Sequence, residues 1–94
     1  MEQNSRLKGN FGIISNLVVR DPQITPTEKG LYSLLASYSD SITNETTVGE
    51  KRLASEMDMS ESSIKRLLKS LVNKGVIMRR YRGKNLTYIT VILK

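Results

Sequence analysis

The residues with the most chemistry to offer are cations, and they are concentrated in the second half of the chain. Residues 47–94 hold eleven Lys and Arg against four Asp and Glu, whereas residues 1–46 hold four against five. Nine basic residues and no acidic one follow Glu61. Such a surface can neutralise the phosphates of a polyanion and release their condensed counterions. Charge alone leaves RNA and an acidic membrane open as partners beside duplex DNA.

The composition argues against catalysis. The 94 residues include no Cys and no His, which removes thiolate metal sites, the commonest metal ligand and the commonest general base. We therefore expect no enzyme activity, no catalytic residue, no metal and no cofactor, with sites built from carboxylates alone left open. The five aromatic residues are too scattered for a platform on which single strands stack, which favours a duplex partner.

The sequence also bears on cellular location. No apolar run approaches the roughly 20 residues of a membrane span, and no signal-peptide pattern is found at the N-terminus. We expect a cytoplasmic protein without membrane contact.

One helix positions the first group of cations. Residues 61–74 carry apolar side chains at the spacing of a single helix face. These apolar residues are Ile64, Leu67, Leu68, Leu71 and Val72. Ser62, Arg66 and Lys69 project from the opposite side, with Lys65 on the flank. Ser60 stands where an N-cap belongs, and Gly75 stands where the chain leaves the helix in a left-handed turn.

A shorter helical pattern precedes it over residues 50–57, with Leu53, Ala54 and Met57 facing inward. Residues 58–60 form the turn between the two, and Asp58 tolerates the left-handed region that such a turn needs. Two short helices joined by a tight turn are the layout of a helix-turn-helix unit.

A hairpin positions the second group of cations. Residues 76–81 and 86–93 read as strands around a turn at 82–85. The hairpin tip and its approaches carry Arg79, Arg80, Arg82, Lys84 and Asn85. The alternative explanation is a charged tip that only discourages edge-to-edge pairing of strands.

The first half of the chain is predicted to form a flexible arm and the part of the domain that packs against the helix-turn-helix unit. Residues 1–9 are predicted to be a flexible arm, with Arg6 and Lys8 as its cations, and residues 10–94 to be one domain. Residues 11–19 are rich in Ile and Val and are predicted to be extended, either as an additional strand of the sheet or crossing to a partner chain.

A helix is predicted to begin after Thr25, with Pro26 at its first position and Glu28 completing a capping box. It runs to about residue 39 and is expected to bury Leu31, Leu34, Leu35 and Tyr38. Residues 40–47 are predicted to be a loop, with one short strand near residues 46–48.

Residues 49–82 resemble the winged helix-turn-helix superfamily, and with residues 21–31 the match extends to most of the chain. The carrying segments are Lys51-Arg52-Leu53-Ala54-Ser55-Glu56-Met57-Asp58-Met59-Ser60, Ser63-Ile64-Lys65-Arg66-Leu67-Leu68-Lys69-Ser70-Leu71 and Lys74-Gly75-Val76-Ile77. The chain looks most like small modules of Gram-positive plasmid and phage proteins that serve replication, regulation or conjugative transfer. This resemblance implies an α+β fold of three helices and a C-terminal β-hairpin wing.

The resemblance also implies roles for individual residues. Ser62, Ser63, Arg66 and Lys69 would face the major groove, where Arg66 could bind a guanine with two hydrogen bonds. Ser60, Lys51 and Lys65 would hold phosphates, with Arg52 as a weaker candidate beside them. In some winged-helix proteins the wing reads the DNA instead, and the cations at residues 79–84 keep that variant open.

The predicted function is sequence-specific binding of double-stranded DNA in a plasmid or phage, at an origin of replication or transfer or at an operator. A homodimer is expected, with replication or transfer proteins as further partners. Two alternatives remain. One is a winged-helix module that docks an acidic protein, and the other is the N-terminal DNA-binding part of a larger replication initiator.

Overall fold

The computed structural model describes residues 15–81 and 87–92, and these form four helices and a three-stranded antiparallel sheet. The elements are α1 (Asn16–Arg20), α2 (Pro26–Tyr38), β1 (Glu45–Thr46), α3 (Glu50–Met57), α4 (Glu61–Asn73), β2 (Ile77–Tyr81) and β3 (Thr87–Val91). The predicted α+β winged helix-turn-helix class is confirmed, with a fourth helix. The predicted arm and hairpin turn lie outside the described residues, and with them the candidates Arg6, Lys8, Arg82, Lys84 and Asn85.

The start of α2 follows the predicted capping box. Thr25 Oγ1 accepts a hydrogen bond from the Glu28 backbone N–H at 3.1 Å, and the Thr25 N–H donates to Glu28 Oε1 at 2.9 Å. Pro26 occupies the first helical position, where no backbone donor is needed. The helix therefore begins where the sequence predicted.

The core lies between α2, α3, α4 and one face of the sheet. Its fully buried aliphatic residues include Leu31, Leu35, Leu53, Ile64, Leu68, Leu71 and Ile77. Burial was predicted for Leu34 and Tyr38 as well, but both are only half-buried. The Tyr38 prediction is wrong because its hydroxyl reaches the surface and donates to Glu56. Tyr32 takes the buried place instead, at 0% exposure.

The prediction of extended structure over residues 11–19 is wrong for residues 16–19, which belong to α1. Ser15 Oγ caps this helix by accepting from the N–H groups of Leu17 and Val18 at 3.2 and 3.5 Å. Val18 is buried in the core, so capping and burial outweigh the strand preference of its β-branched side chain. Residues 11–14 lie outside the described ranges. The third strand of the sheet is β1, which overlaps at Thr46 the short strand predicted near residues 46–48.

The helix-turn-helix unit forms as predicted. Between α3 and α4, Asp58 adopts φ 55° and ψ 49°, and the next N–H, that of Met59, donates to Ala54 O at 2.9 Å. Ser60 caps α4, which ends one residue before the predicted position. Gly75 has φ 76°, the left-handed conformation expected after the helix.

The sheet order is β1-β3-β2, and its register decides where the wing arginines point. Arg79 pairs with Ile89, and Arg80 pairs with Tyr88. Because successive side chains of a strand alternate between faces, Arg79 shares the helix-facing side with the buried Ile89, while Arg80 lies on the outer side.

Candidate nucleic-acid interface

Helix α4 separates apolar from basic side chains. Ile64, Leu68 and Leu71 are completely buried against the core, whereas Arg66 and Lys69 are exposed. Neither of these two cations forms an ion pair within residues 15–81 and 87–92. The predicted orientation of this helix is therefore what the structure has.

Three hydroxyls and one guanidinium meet over the first turn of α4. Ser60 Oγ accepts from the Ser63 N–H at 3.1 Å and donates to Ser63 Oγ at 3.0 Å, while Ser62 Oγ lies 3.3 Å from Ser60 Oγ. Arg66 Nη2 donates to Ser63 Oγ at 3.2 Å. One contact thus orients the Arg66 side chain towards the N-terminal end of α4, and its other guanidinium donors make no hydrogen bond within the described residues.

A cleft of about 560 Å³ opens between α4, the start of α3 and the wing. Leu68 and Ile89, both buried, contribute apolar lining. Its charged lining consists of Lys65, Lys69, Arg79 and Glu50. Cations from helix α4 and strand β2, which the sequence separates, therefore share one cavity.

Glu50 lies between two of these cations. Its Oε1 is 3.9 Å from Lys65 Nζ, and its Oε2 is 3.4 Å from Arg79 Nη2. Arg79 Nη2 also donates to the Tyr81 hydroxyl at 3.4 Å, and the Arg79 guanidinium carbon lies 6.0 Å from the centre of the Tyr81 ring. The Arg79 side chain is 19% exposed, and its buried Nε has no hydrogen-bond partner among the described residues.

Arg80 is separated from this cleft by the sheet. It forms an ion pair with Glu45 of β1, and its guanidinium carbon lies 5.8 Å from the centre of the Tyr88 ring of the intervening strand β3. The two described wing candidates are therefore not brought together, because they occupy opposite faces of β2.

The candidates on α3 differ from one another. Arg52 Nε donates to Glu56 Oε2 at 3.2 Å and to the Tyr38 hydroxyl at 3.1 Å. The hydrogen bonds from Tyr38 and Arg52 lower the pKa of Glu56. Lys51 is exposed, and of the two it is the one without an ion pair in the described residues.

Lys74 is one of the nine cations that follow Glu61, and the structure pairs it with a buried carboxylate. Lys74 Nζ donates to Glu28 Oε1 at 2.6 Å and to the Gln23 carbonyl at 2.7 Å, and Ser70 Oγ donates to Glu28 Oε2. Burial of the Glu28 carboxyl raises its pKa, but the bonds from Lys74, Ser70 and Thr25 outweigh burial and lower the pKa to about 2. The capping-box position of Glu28 was the one sequence signal near this cluster.

Within residues 15–81 and 87–92, no group of three or more acidic side chains is arranged to hold a metal ion. No helix in those ranges combines the length and apolar character needed to cross a membrane.

Residues 23–77 match the model of a protein family described as a helix-turn-helix domain. No curated protein matches the sequence significantly. Three solved structures illustrate the similarity in fold. The N-terminal domain of a DNA binding protein superimposes with a TM-score of 0.65 at 17% identity, covering 98% of this chain and 84% of that one.

A Rep–DNA complex gives a TM-score of 0.64 at 17% identity and covers 98% and 82% of the two chains. Wild-type ZitR of Lactococcus lactis in complex with DNA gives 0.61 at 14% identity, covering 94% of this chain and 56% of ZitR. At these identities the likeness concerns the fold.

Proposed function

Because the chain belongs to the helix-turn-helix domain family, we propose that it binds duplex DNA, with α4 in the major groove and the β2–β3 hairpin against a neighbouring groove or the backbone. The observation that carries this proposal is the two-sided character of α4. Three residues of its apolar side are completely buried, and its exposed side presents Arg66 and Lys69 without acidic partners in the described residues.

Within this proposal the candidate residues on and beside α4 divide into two groups. Ser62, Ser63, Arg66 and Lys69 face the groove, and Arg66 is the candidate for two hydrogen bonds to a guanine. Ser60, Lys51 and Lys65 hold phosphates and set the register of the protein on the duplex. The hydrogen bond from Arg66 to Ser63 supports this division because it fixes the direction of a long side chain before DNA arrives.

We place the biological role at specific sites of a plasmid or phage, such as an origin of replication or transfer or an operator. The similarity to a Rep–DNA complex over 82% of that chain supports a replication-related role. The similarity to the N-terminal domain of a DNA binding protein supports the second candidate, the DNA-binding part of a larger initiator. Replication or transfer proteins would be its partners in either case.

We also propose a homodimer. A single α4 contacts only a short stretch of one groove, whereas a two-fold dimer reads two half-sites about one helical turn apart. The exposed Leu17 on α1, at 64% exposure, supports a further contact surface beside the DNA-facing one.

Salt-dependent binding to duplexes tests the function. We expect about four to seven phosphate contacts per protomer, so the log–log plot of affinity against salt should have a slope several units negative. Capture of plasmid or phage fragments followed by footprinting would identify the site. A slope near zero contradicts duplex binding and favours the protein-interaction module. A preference for single strands of the same length also contradicts duplex binding.

Matched lysine variants sharpen this measurement. Lys69→Gln removes a cation from the exposed side of α4, and the slope should become less negative by about one unit. Lys29→Gln makes the same change in α2 and should leave the slope as it is. Equal effects of the two variants would mean that the net charge matters and not the face of α4.

A further inference from the structure

We propose that Glu50 holds, in the free protein, the place that a backbone phosphate of DNA takes between Lys65 and Arg79. This inference rests on the proposed function and deepens it, because it assigns one phosphate site and the group that competes for it. Glu50 is the one acidic side chain lining the cleft among the described residues, and the cations around it belong to α4 and β2.

The contacts of Glu50 with Lys65 and Arg79 are long, so a phosphate could displace this carboxylate. The distance of 3.4 Å between Arg79 Nη2 and Glu50 Oε2 is at the long end for a hydrogen bond, and the 3.9 Å between Lys65 Nζ and Oε1 is beyond it. A charge-assisted pair in its best geometry is close to 2.8 Å. The carboxylate therefore balances the two charges without satisfying their donors well.

The donors that remain unsatisfied are those that a phosphate could use. Within the described residues Arg79 reaches Glu50 and the Tyr81 hydroxyl through Nη2 alone, at 3.4 Å in each case, and Lys69 lines the same cleft without an ion pair there. A phosphate offers several acceptor oxygens to an arginine fork, whereas Glu50 engages Arg79 through one nitrogen. Exchange of carboxylate for phosphate would add hydrogen bonds at the cost of bringing the Glu50 charge close to the DNA.

The negative charge of Glu50 repels a DNA phosphate, so its removal should strengthen DNA binding. Glu50→Gln keeps the size of the side chain and should raise the affinity for any duplex roughly three- to tenfold, because a negative charge no longer faces the phosphate. The salt slope should become more negative by about one unit. Both effects should be independent of DNA sequence, since a phosphate contact carries no base information.

The experiment compares wild type, Glu50→Gln and Glu50→Ser on one random and one footprinted duplex over a salt series. The two neutral variants should agree, and thermal unfolding checks that each is folded. Asp40→Asn is the matched control, because it removes one charge outside the cleft and Asn can still accept the bonds from Ile42 and Thr43. It should change affinity much less.

The outcomes separate the two proposals. If wild type binds duplex with a steep slope but the folded Glu50 variants bind equally or more weakly with an unchanged slope, the placeholder is overturned and duplex binding stands. If Asp40→Asn gains as much as Glu50→Gln, net charge explains the gain and the cleft assignment falls. If wild type has no salt-dependent affinity for duplex, the proposed function fails, and the phosphate site fails with it.

Discussion

Lys74 Nζ lies 2.6 Å from Glu28 Oε1 and so joins the end of α4 to the first turn of α2. Glu28 is 4% exposed and also accepts hydrogen bonds from Ser70 of α4 and from the backbone of Thr25. A buried carboxylate is tolerated when it is paired and hydrogen-bonded in this way. The contact helps to hold α4 at a fixed angle to α2, and it removes Lys74 from the cations that DNA could use.

Acid should destabilise the protein through Glu28. Its folded pKa of about 2 lies below the usual 4.5, so the unfolded chain takes up this proton first. The stabilisation is therefore complete above the unfolded pKa and is lost as pH falls from about 4.5 to about 2. We expect the free energy of unfolding to drop by about 3 kcal/mol over that range from this group. Urea unfolding followed by circular dichroism across that pH range measures it.

Glu28→Gln is the variant that isolates this contribution. It should lower the free energy of unfolding at neutral pH by roughly 2–4 kcal/mol, because Lys74 loses its partner, and it should weaken the acid dependence. Glu61→Gln changes an exposed carboxylate without an ion pair in the described residues and should stay within about 0.5 kcal/mol of wild type. Full acid sensitivity in Glu28→Gln would assign the effect to other groups.

Features fixed by neighbouring residues were predictable from the sequence. Helix caps and tight turns depend on residues only a few positions apart, so they were predicted where the structure has them. The residues concerned are Thr25, Glu28, Asp58, Ser60 and Gly75. The period of α4 likewise predicted which of its faces is buried.

Pairings between distant elements could not be predicted. Glu50 meets Arg79 across 29 positions and Glu28 meets Lys74 across 46, and nothing in the sequence indicates which acid each cation meets. The α1 error had another cause, since strand propensity is a weak preference that one cap at Ser15 and burial of Val18 can override. The sequence therefore predicts that the surface is basic, but it does not predict which of the cations form ion pairs within the protein.

Arg66→Ala should weaken specific DNA binding by roughly 1–3 kcal/mol and relax the preference at one base pair. Its exposed position and its bond to Ser63 place the guanidinium beside the first turn of α4. Competition binding on a set of single-base variants of the footprinted site measures both effects. Arg20→Ala makes the same change on α1 and should have little effect.

The wing-led alternative predicts the reverse result. If Arg66→Ala leaves affinity and preference unchanged while Arg80→Ala or Arg82→Ala abolishes both, the wing reads the DNA. The ion pair of Arg80 with Glu45 makes us expect the smaller loss at Arg80, because that side chain must first leave its partner.

Asp58→Gly should stabilise the fold by about 0.5–1 kcal/mol, since Asp58 has φ 55° and glycine adopts this region without a Cβ clash. The greater entropy of glycine in the unfolded chain limits the gain. Ser55→Gly is the control with the opposite sign, because it places glycine inside α3 and should cost about 0.5 kcal/mol. Urea midpoints with unchanged slopes give both values, and a destabilised Asp58→Gly would mean that the aspartate makes contacts that outweigh its backbone strain.

Self-association should depend on Leu17. The Leu17 side chain is 64% exposed on α1. The Tyr32 hydroxyl accepts a hydrogen bond from the Ser15 N–H and donates one to the Ile92 carbonyl, and it thereby joins the start of α1 to the end of β3. Leu17→Ser should raise the dimer dissociation constant roughly tenfold, through the loss of about 1.4 kcal/mol of apolar burial. Sedimentation equilibrium with and without DNA measures this.

A point variant is the better test of the dimer because truncating the chain before Arg20 would also remove Val18 from the core. Ile42→Ser is the matched control, since Ile42 is 88% exposed in the loop between α2 and β1. It should leave self-association unchanged if the surface around Leu17 forms the interface. A wild-type chain that stays monomeric at high concentration, with one protomer on each DNA site, would contradict the dimer and favour the DNA-binding part of a larger initiator.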